Sequence, residues 1–463
     1  MAFDVLAIVL ALAFLMVIAY RGLPVIVFAP VCAMLAVGIS GRPLLPSYTD
    51  SFMKSAAGYI QSFFPLFLLG AIFGKLMETS GAAGTIASVI ARALGPRHSI
   101  LAVVLACSTL TYGGVSLFVV AFAVYPFASA LFREADIPKR LIPGAVALGA
   151  FTFTMDALPG SPQIQNLIPT RYFGTDAYAA PWFGILGSCL VFVAGMLWLE
   201  RRRAIAAASG EGYGTGHQNE AEPRTEDARP SLLVSVIPLF LVLSGNFILS
   251  RTTWSVARWY SLEKLAQDYP STKLSVAAPT WALIVALLIG IVAAVAIQPR
   301  RVKATLSKTL SVATTGALLA IFNTASEVGF GNTVKALPGF RWIQDSVFLV
   351  SRYVLVSEAV AVNVLAGITG SASGGLSIAL DVMAPRYLEL AQVQGISPDL
   401  LHRVAAMASG GMDTLPHNGA VITLLAITGL THRQSYADIF AITVVKTLTV
   451  FAIALGISML RSA

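Results

Sequence analysis

Long apolar runs alternate along this chain with short polar clusters, and the runs are long enough to cross a bilayer. Residues 5–20, 23–39, 101–124, 231–249 and 281–297 approach or exceed the roughly 20 residues that span a hydrocarbon core about 30 Å thick. Roughly eleven to thirteen such elements can be traced, with boundaries blurred where glycine and proline interrupt them. The first run follows "MAFD", which lacks a basic n-region, and no small-residue cleavage site comes after it. It reads as a first span rather than a signal peptide.

Composition supports the pattern. Of 463 residues, 56% are hydrophobic and only 12% charged, about half the charge of a soluble domain. The expected fold is an all-α polytopic membrane protein. The net charge of +8 fits basic residues retained in cytoplasmic loops, since no aromatic–basic interleaving or zinc-finger spacing points to nucleic acid. Cys32, Cys107 and Cys189 sit in apolar sequence and read as small buried hydrophobes. His98, His217, His402 and His432 have no partners at ligand spacing, so neither a metal nor another cofactor is expected.

One long polar segment, residues 200–230, is rich in Gly, Glu and Arg and reads as a flexible cytoplasmic linker. It divides the chain into halves, 1–199 and 231–463. Arg201, Arg202 and Arg203 precede two spans, and Arg300, Arg301 and Lys303 follow them. Both clusters therefore belong on the cytoplasmic side.

The halves resemble each other. "AIF" followed by Glu78 matches "AIF" followed by Glu327, 249 positions later; Gly113-Gly114 matches Gly374-Gly375 at 261; Met155-Asp156-Ala-Leu-Pro matches Met412-Asp413-Thr-Leu-Pro at 257. Paired apolar segments broken by Gly and Pro in corresponding places point to a transporter built from inverted repeats.

Two kinds of break carry the chemistry. "TLTYGGVSLF" (109–118) and "ITGSASGGLS" (368–377) cluster residues that disfavour continuous helix. Such breaks expose helix N-termini whose amides suit an anion, or they serve tight packing of small residues. Candidate anion-binding residues are Thr109, Thr111, Gly113, Gly114, Ser371, Ser373, Gly374 and Gly375. The second kind is "TMDALPGSPQIQN" (154–166) and "GMDTLPHNGAV" (411–421). An ionisable residue inside a span is costly and marks function by default, so Asp156 and Asp413 are candidate proton carriers, with helix capping as the alternative role. His417 titrates near neutral pH, and Glu327 is a further carrier. Ser161, Gln163, Gln165, Asn166 and Asn418 offer hydrogen bonds to a hydroxylated carboxylate. Glu78 and Glu358 are carboxylates of either interfacial or functional kind, while Lys75 belongs to helix packing.

An intramembrane aspartyl protease would also place two aspartates in membrane segments, but the Gly-x-Gly-Asp signature of that class is absent. "GAIFGKL" fails as a Walker A motif, and nothing resembles a carbonyl selectivity filter. Secondary transport, not enzymatic catalysis, is the expected class, driven by protons or alternatively by sodium.

"LGAIFGKLMETSGAAGTIASVIARALGPRH" (69–98) and "ISPDLLHRVAAMASGGMDTLPHNGAVITLLAITGLTHRQSYADI" (396–439) resemble signatures of the gluconate permease family of bacterial inner-membrane symporters. The resemblance covers the chain outside 200–230. It implies membership of the ion-transporter superfamily: two inverted repeats with re-entrant hairpins and broken transmembrane helices, homodimers, and proton-coupled uptake of small organic acids. Where gluconate carriers have a His- and Pro-rich stretch, this chain has "ALPGSPQIQN"; where they have His-Val-Asn-Asp, it has "MDTLPHNGA". These departures resemble the hydroxybutyrate permease-like branch and imply 3-hydroxybutyrate ahead of gluconate as substrate.

Overall fold

The apolar runs become helices because, in lipid, a span must satisfy its backbone hydrogen bonds internally. The computed structural model describes residues 2–21, 23–220, 230–270, 272, 274–340, 342, 346, 350–416 and 418–462, and no strand occurs among them. The first half contains α1 (Ala2–Tyr20), α2 (Val25–Ile39), α3 (Lys54–Thr79), α4 (Ala82–Leu94), α5 (Ser99–Tyr112), α6 (Leu117–Glu134), α7 (Ile142–Ala150), the single turn α8 (Phe153–Asp156), α9 (Ile168–Phe173) and α10 (Pro181–Ala208). The second contains α11 (Leu232–Arg251), α12 (Leu262–Asp268), α13 (Leu274–Ile297), α14 (Pro299–Lys335), α15 (Val354–Thr369), α16 (Ala372–Val393), α17 (Pro398–Ser409), α18 (Gly419–Thr428) and α19 (His432–Ser462).

Among the described residues, six helices are long and apolar enough to cross a membrane, or seven if α4 and the α5 segment, bent by 104°, count as one broken span. The count falls below the eleven to thirteen apolar elements because several runs are divided. Residues 101–124, which read as one span, break between Tyr112 and Leu117. Helices α2, α15 and α18 are apolar but short. Large apolar side chains such as Trp182, Leu197, Leu233, Phe240 and Val292 face outward, as expected where the surrounding solvent is hydrocarbon. Cys189 is exposed on α10 instead of buried.

The halves share an order of elements: a long helix, a helix ending at a break, a helix leaving it, a short helix, a polar turn, another short helix and a final long helix. Corresponding long helices meet, α3 along α14 and α10 along α19. The structure also shifts the correspondence between the two breaks. The chain reverses through left-handed glycines at Gly114 and Gly370, 256 positions apart, close to the 257 that separates Asp156 from Asp413. Gly113-Gly114 closes the helix before the first break, whereas Gly374-Gly375 lies in the first turn after the second. The paired glycines look alike in sequence but do different work.

The segment read as a flexible linker is ordered in its described part. Helix α10 continues through Arg201–Arg203 to Ala208. Residues 209–220 then dock: Arg140 grips Glu211 through two hydrogen bonds of 2.6 and 2.7 Å, Lys139 Nζ donates to the Gln218 carbonyl at 2.8 Å, and Asn219 Nδ2 donates to the Ala426 carbonyl at 2.9 Å. Residues 221–229 lie outside the described residues. Arg301 and Pro230 both rest against Gly81, which places the second basic cluster beside the end of this segment.

Candidate functional site

The second break is built around a buried carboxylate. Helix α15 ends at Gly370 (φ +65°), whose left-handed backbone turns the chain into α16. Ser371 caps α16, its Oγ accepting from the Gly374 amide at 3.1 Å. Ser371 and Ser373 hydroxyls are 3.4 Å apart, and Thr324 of α14 is 3.4 Å from Ser373. Glu327, also on α14, is buried with its carboxylate lodged against Gly374, where a β-carbon would collide with Oε2. Ser371 lies beside that carboxyl, Oε2 has no hydrogen-bond partner, and the Tyr59 hydroxyl of α3 lies close by with Ser377. The free amides and partial positive charge of the 22-residue α16 therefore face an acidic side chain of the protein itself. Gly375 has another duty: a β-carbon there would strike the Ala366 backbone, so it lets α16 cross α15 at close range.

The first break has no comparable polar lining. Gly114 (φ +95°) packs against Pro162 and Phe73, and Gly113 against Leu239. Thr109 is exposed and bonds back to the Leu105 carbonyl at 2.8 Å. The Thr111 hydroxyl is buried without a partner. Gln163 Nε2 donates to the Thr111 carbonyl at 2.8 Å and the Val115 carbonyl at 3.3 Å, sealing the frayed helix end. Asn418 does the same at the second break, donating to the Gly370 carbonyl at 2.7 Å. In each half, an amide just beyond the Met-Asp-x-Leu-Pro turn satisfies a carbonyl of that half's break.

The two polar turns converge. Asp156 is fully buried, and its Oδ2 accepts from the ammonium of Lys446 on α19. Asp413 is buried within electrostatic reach of both. The pair sits against Gly410, where a β-carbon would meet Lys446 Nζ and Asp156 Oδ2; the adjoining Gly411 makes room for Asn363 Oδ1 and Thr447 Oγ1. Capping, the alternative role for the aspartates, is taken in the second half by Asn418, whose Oδ1 caps α18, accepting from the Ala420 and Val421 amides at 2.6 and 3.2 Å. His417 lies outside the described residues.

Arg403 of α17, also fully buried, clasps the loop after Asp156. It donates to the carbonyls of Asp156, Ala157, Ala177 and Ala179 and to Asn166 Oδ1, at 2.8–3.1 Å. Asn166 Nδ2 in turn donates to the Ser161 and Ala177 carbonyls, both at 2.9 Å, and Ser161 Oγ donates to the Thr154 carbonyl at 2.7 Å. Ser161 and Asn166 are thus engaged in holding the loop. His402 shares the network through Thr175, 2.6 Å from its Nδ1.

The structure thus gathers the sequence candidates into two groups, Glu327 with Ser371, Ser373 and Gly374, and Asp156 with Asp413. It leaves Thr109 outside both. Glu78 pairs with Lys75 at 3.0 Å, partly buried near the end of α3. Glu358 is fully buried in α15 with no partner for either oxygen. Lys446 and Arg403 are not among the sequence candidates, although "TVVKTLTV" and "LLHRVAAM" each place a cation in an apolar run, the same signal that marks the aspartates. Among the described residues no three His, Cys, Asp or Glu converge on a metal position.

Comparison with known proteins agrees with this architecture. The YdaH transporter of Alcanivorax borkumensis, whose crystal structure is described as having an unusual topology, is similar in fold, with a TM-score of 0.51 over 91% of this chain and 89% of that one at 19% identity. The uncharacterized transporter YxjC of Bacillus subtilis (strain 168) is 51% identical over 466 residues, covering 97% of this chain and 98% of its own. Residues 1–335 match the sequence profile described as GntP family permease. The chain belongs to the GntP family of permeases and is a multi-pass membrane transporter.

Proposed function

We propose that this transporter is a proton-coupled symporter for a small carboxylate, with 3-hydroxybutyrate ahead of gluconate-type sugar acids. The observation that carries the reading is the placement of Glu327 on the N-terminus of α16. A helix N-terminus lined by hydroxyls is an anion site, and here the chain's own carboxylate occupies it. A substrate carboxylate entering the same place meets like charge in a low-dielectric setting, which is costly. Protonating Glu327 removes that repulsion and leaves the N-terminus of α16, with the hydroxyls of Ser371 and Ser373, available to the anion. Proton and substrate anion then bind together, the condition for symport, because each raises the affinity for the other. The Asp156–Lys446 ion pair argues against a protease, whose aspartates share one proton between them.

The test is uptake into liposomes containing the purified protein. Labelled 3-hydroxybutyrate, gluconate and citrate are offered under an imposed pH gradient in sodium-free buffer. The expected result is monocarboxylate accumulation driven by inward proton flow. Glu327→Gln should lose accumulation while retaining substrate exchange. Transport of no monocarboxylate, or accumulation indifferent to pH, overturns the reading.

A further inference from the structure

We propose that the Asp156–Asp413 cluster is a monovalent-cation seat filled by the ammonium of Lys446, which makes the transporter independent of sodium. The inference deepens the coupling mechanism above and rests on that reading only for its transport measurement.

Four features make the place a cation site. Two buried carboxylates from the two halves converge there, and only one of their oxygens, Asp156 Oδ2, receives the Lys446 proton donor. Asp156 Oδ1, Asp413 Oδ1, Asn363 Oδ1 and Thr447 Oγ1 are buried without hydrogen-bond partners, so more oxygens are present than the ammonium engages. Helix α17 ends at Ser409, immediately before the Gly410 against which the pair rests, and a helix C-terminus carries partial negative charge. Unwound turns that end half-helices are the setting in which membrane transporters hold Na⁺. An ammonium is a tethered point charge with donors alone, so it satisfies the same oxygens as a bound ion. Two carboxylates against Lys446 and Arg403 leave the buried cluster neutral overall.

Removing the tethered charge leaves two carboxylates and a space, and the cluster should then recruit a free ion. Lys446→Ala protein in detergent should melt lower than wild type in choline chloride. Adding sodium chloride at constant ionic strength should raise its melting temperature saturably, by roughly 3 °C at 100-fold above the dissociation constant. The wild type should show no such shift. Lys446→Met, which fills the space without charge, should show none either, and Asp413→Asn in the Lys446→Ala background should abolish it. A folded, helical Lys446→Ala protein indifferent to sodium overturns the proposal, as does a saturable sodium shift in the wild type. Should Lys446→Ala fail to fold, wild-type liposomes decide: uptake driven equally in sodium and choline is expected, and uptake driven by a sodium gradient refutes it. If no carboxylate is transported at all, the symporter reading fails while the melting experiment still tests the seat.

Discussion

Replacing Arg403 by Met should loosen the first-half polar turn, whose carbonyls it holds, and also removes one of the two positive charges that face the aspartates. The guanidinium satisfies five acceptors, the carbonyls of Asp156, Ala157, Ala177 and Ala179 and the Asn166 amide oxygen. Hydrogen bonds between membrane-embedded partners average about 0.6 kcal/mol, so their joint loss comes to about 3 kcal/mol. If the carbonyls stay bare, the cost rises toward about 1–3 kcal/mol for each. At about 2 cal/mol/K per residue of unfolding entropy, the lower figure shifts the melting temperature by roughly 3 °C for a chain of this length. Tryptophan fluorescence or light scattering during heating in detergent reads it. Lys at 403 keeps the charge but not the fork, which alone reaches so many carbonyls, so Arg403→Lys should recover less than half of the loss. An Arg403→Met protein that melts with the wild type would refute the reasoning, as would full rescue by Lys.

Two other outcomes follow from the geometry. Gly374→Ala meets two movable side-chain ends, the Glu327 carboxylate and, at 3.1 Å, the Ser371 hydroxyl, and Ala is the better helix former by about 1 kcal/mol; its protein should melt no lower than wild type yet lose carboxylate accumulation. Gly375→Ala meets the Ala366 backbone and should reduce folded yield, so equal behaviour of the two variants would contradict the assigned roles. In the docked segment 209–220, the hydrogen bonds from Arg140 hold the Glu211 carboxyl below its ordinary range. The native state therefore binds that proton less readily than the unfolded chain, and the contribution is present above the ordinary glutamate value and fades as pH falls through the depressed one. Limited proteolysis within 209–220 should accelerate only under acid conditions, and Glu211→Gln should bring the faster cleavage to neutral pH.

Much of this molecule was legible from hydrophobic pattern alone, because a bilayer leaves the backbone little choice but helix. Residues 281–297 carry nothing but an apolar run and became part of α13. The breaks were visible as clusters of Gly, Ser and Thr, but their register was not. Only φ separates the reversing Gly114 and Gly370 from neighbouring glycines that provide close contact. The likeness of the halves displays what they share and hides what only one possesses. At the 257-residue offset, Arg403 and Lys446 face Val146 and Cys189, so neither cation belongs to the repeated pattern. The partners of residues 209–220, Arg140 and Ala426 among them, are equally remote in sequence, which is why the segment read as unattached.

That asymmetry separates the chemistry of the two halves. Both halves supply a break, a sealing amide and an aspartate turn, yet the first break is walled by Phe73, Pro162 and Leu239 and offers an anion little. The second presents Glu327 with Ser371 and Ser373. The cations follow the same division, since Arg403 and Lys446 both reach from the second half into the first-half turn. A symmetric arrangement would carry two acidic turns with nothing to neutralise them, and uncompensated buried charge is among the costliest features a protein can hold. Specialising one half as the source of positive charge removes that cost and ties the two turns together. Movement of either turn must then stretch the Asp156–Lys446 contact or carry it along. If the contact travels with the turns, Asp156→Asn and Lys446→Met should impair transport to the same degree, and the double variant should be no worse than either alone. Independent, multiplicative losses would mean that the two residues act in separate steps.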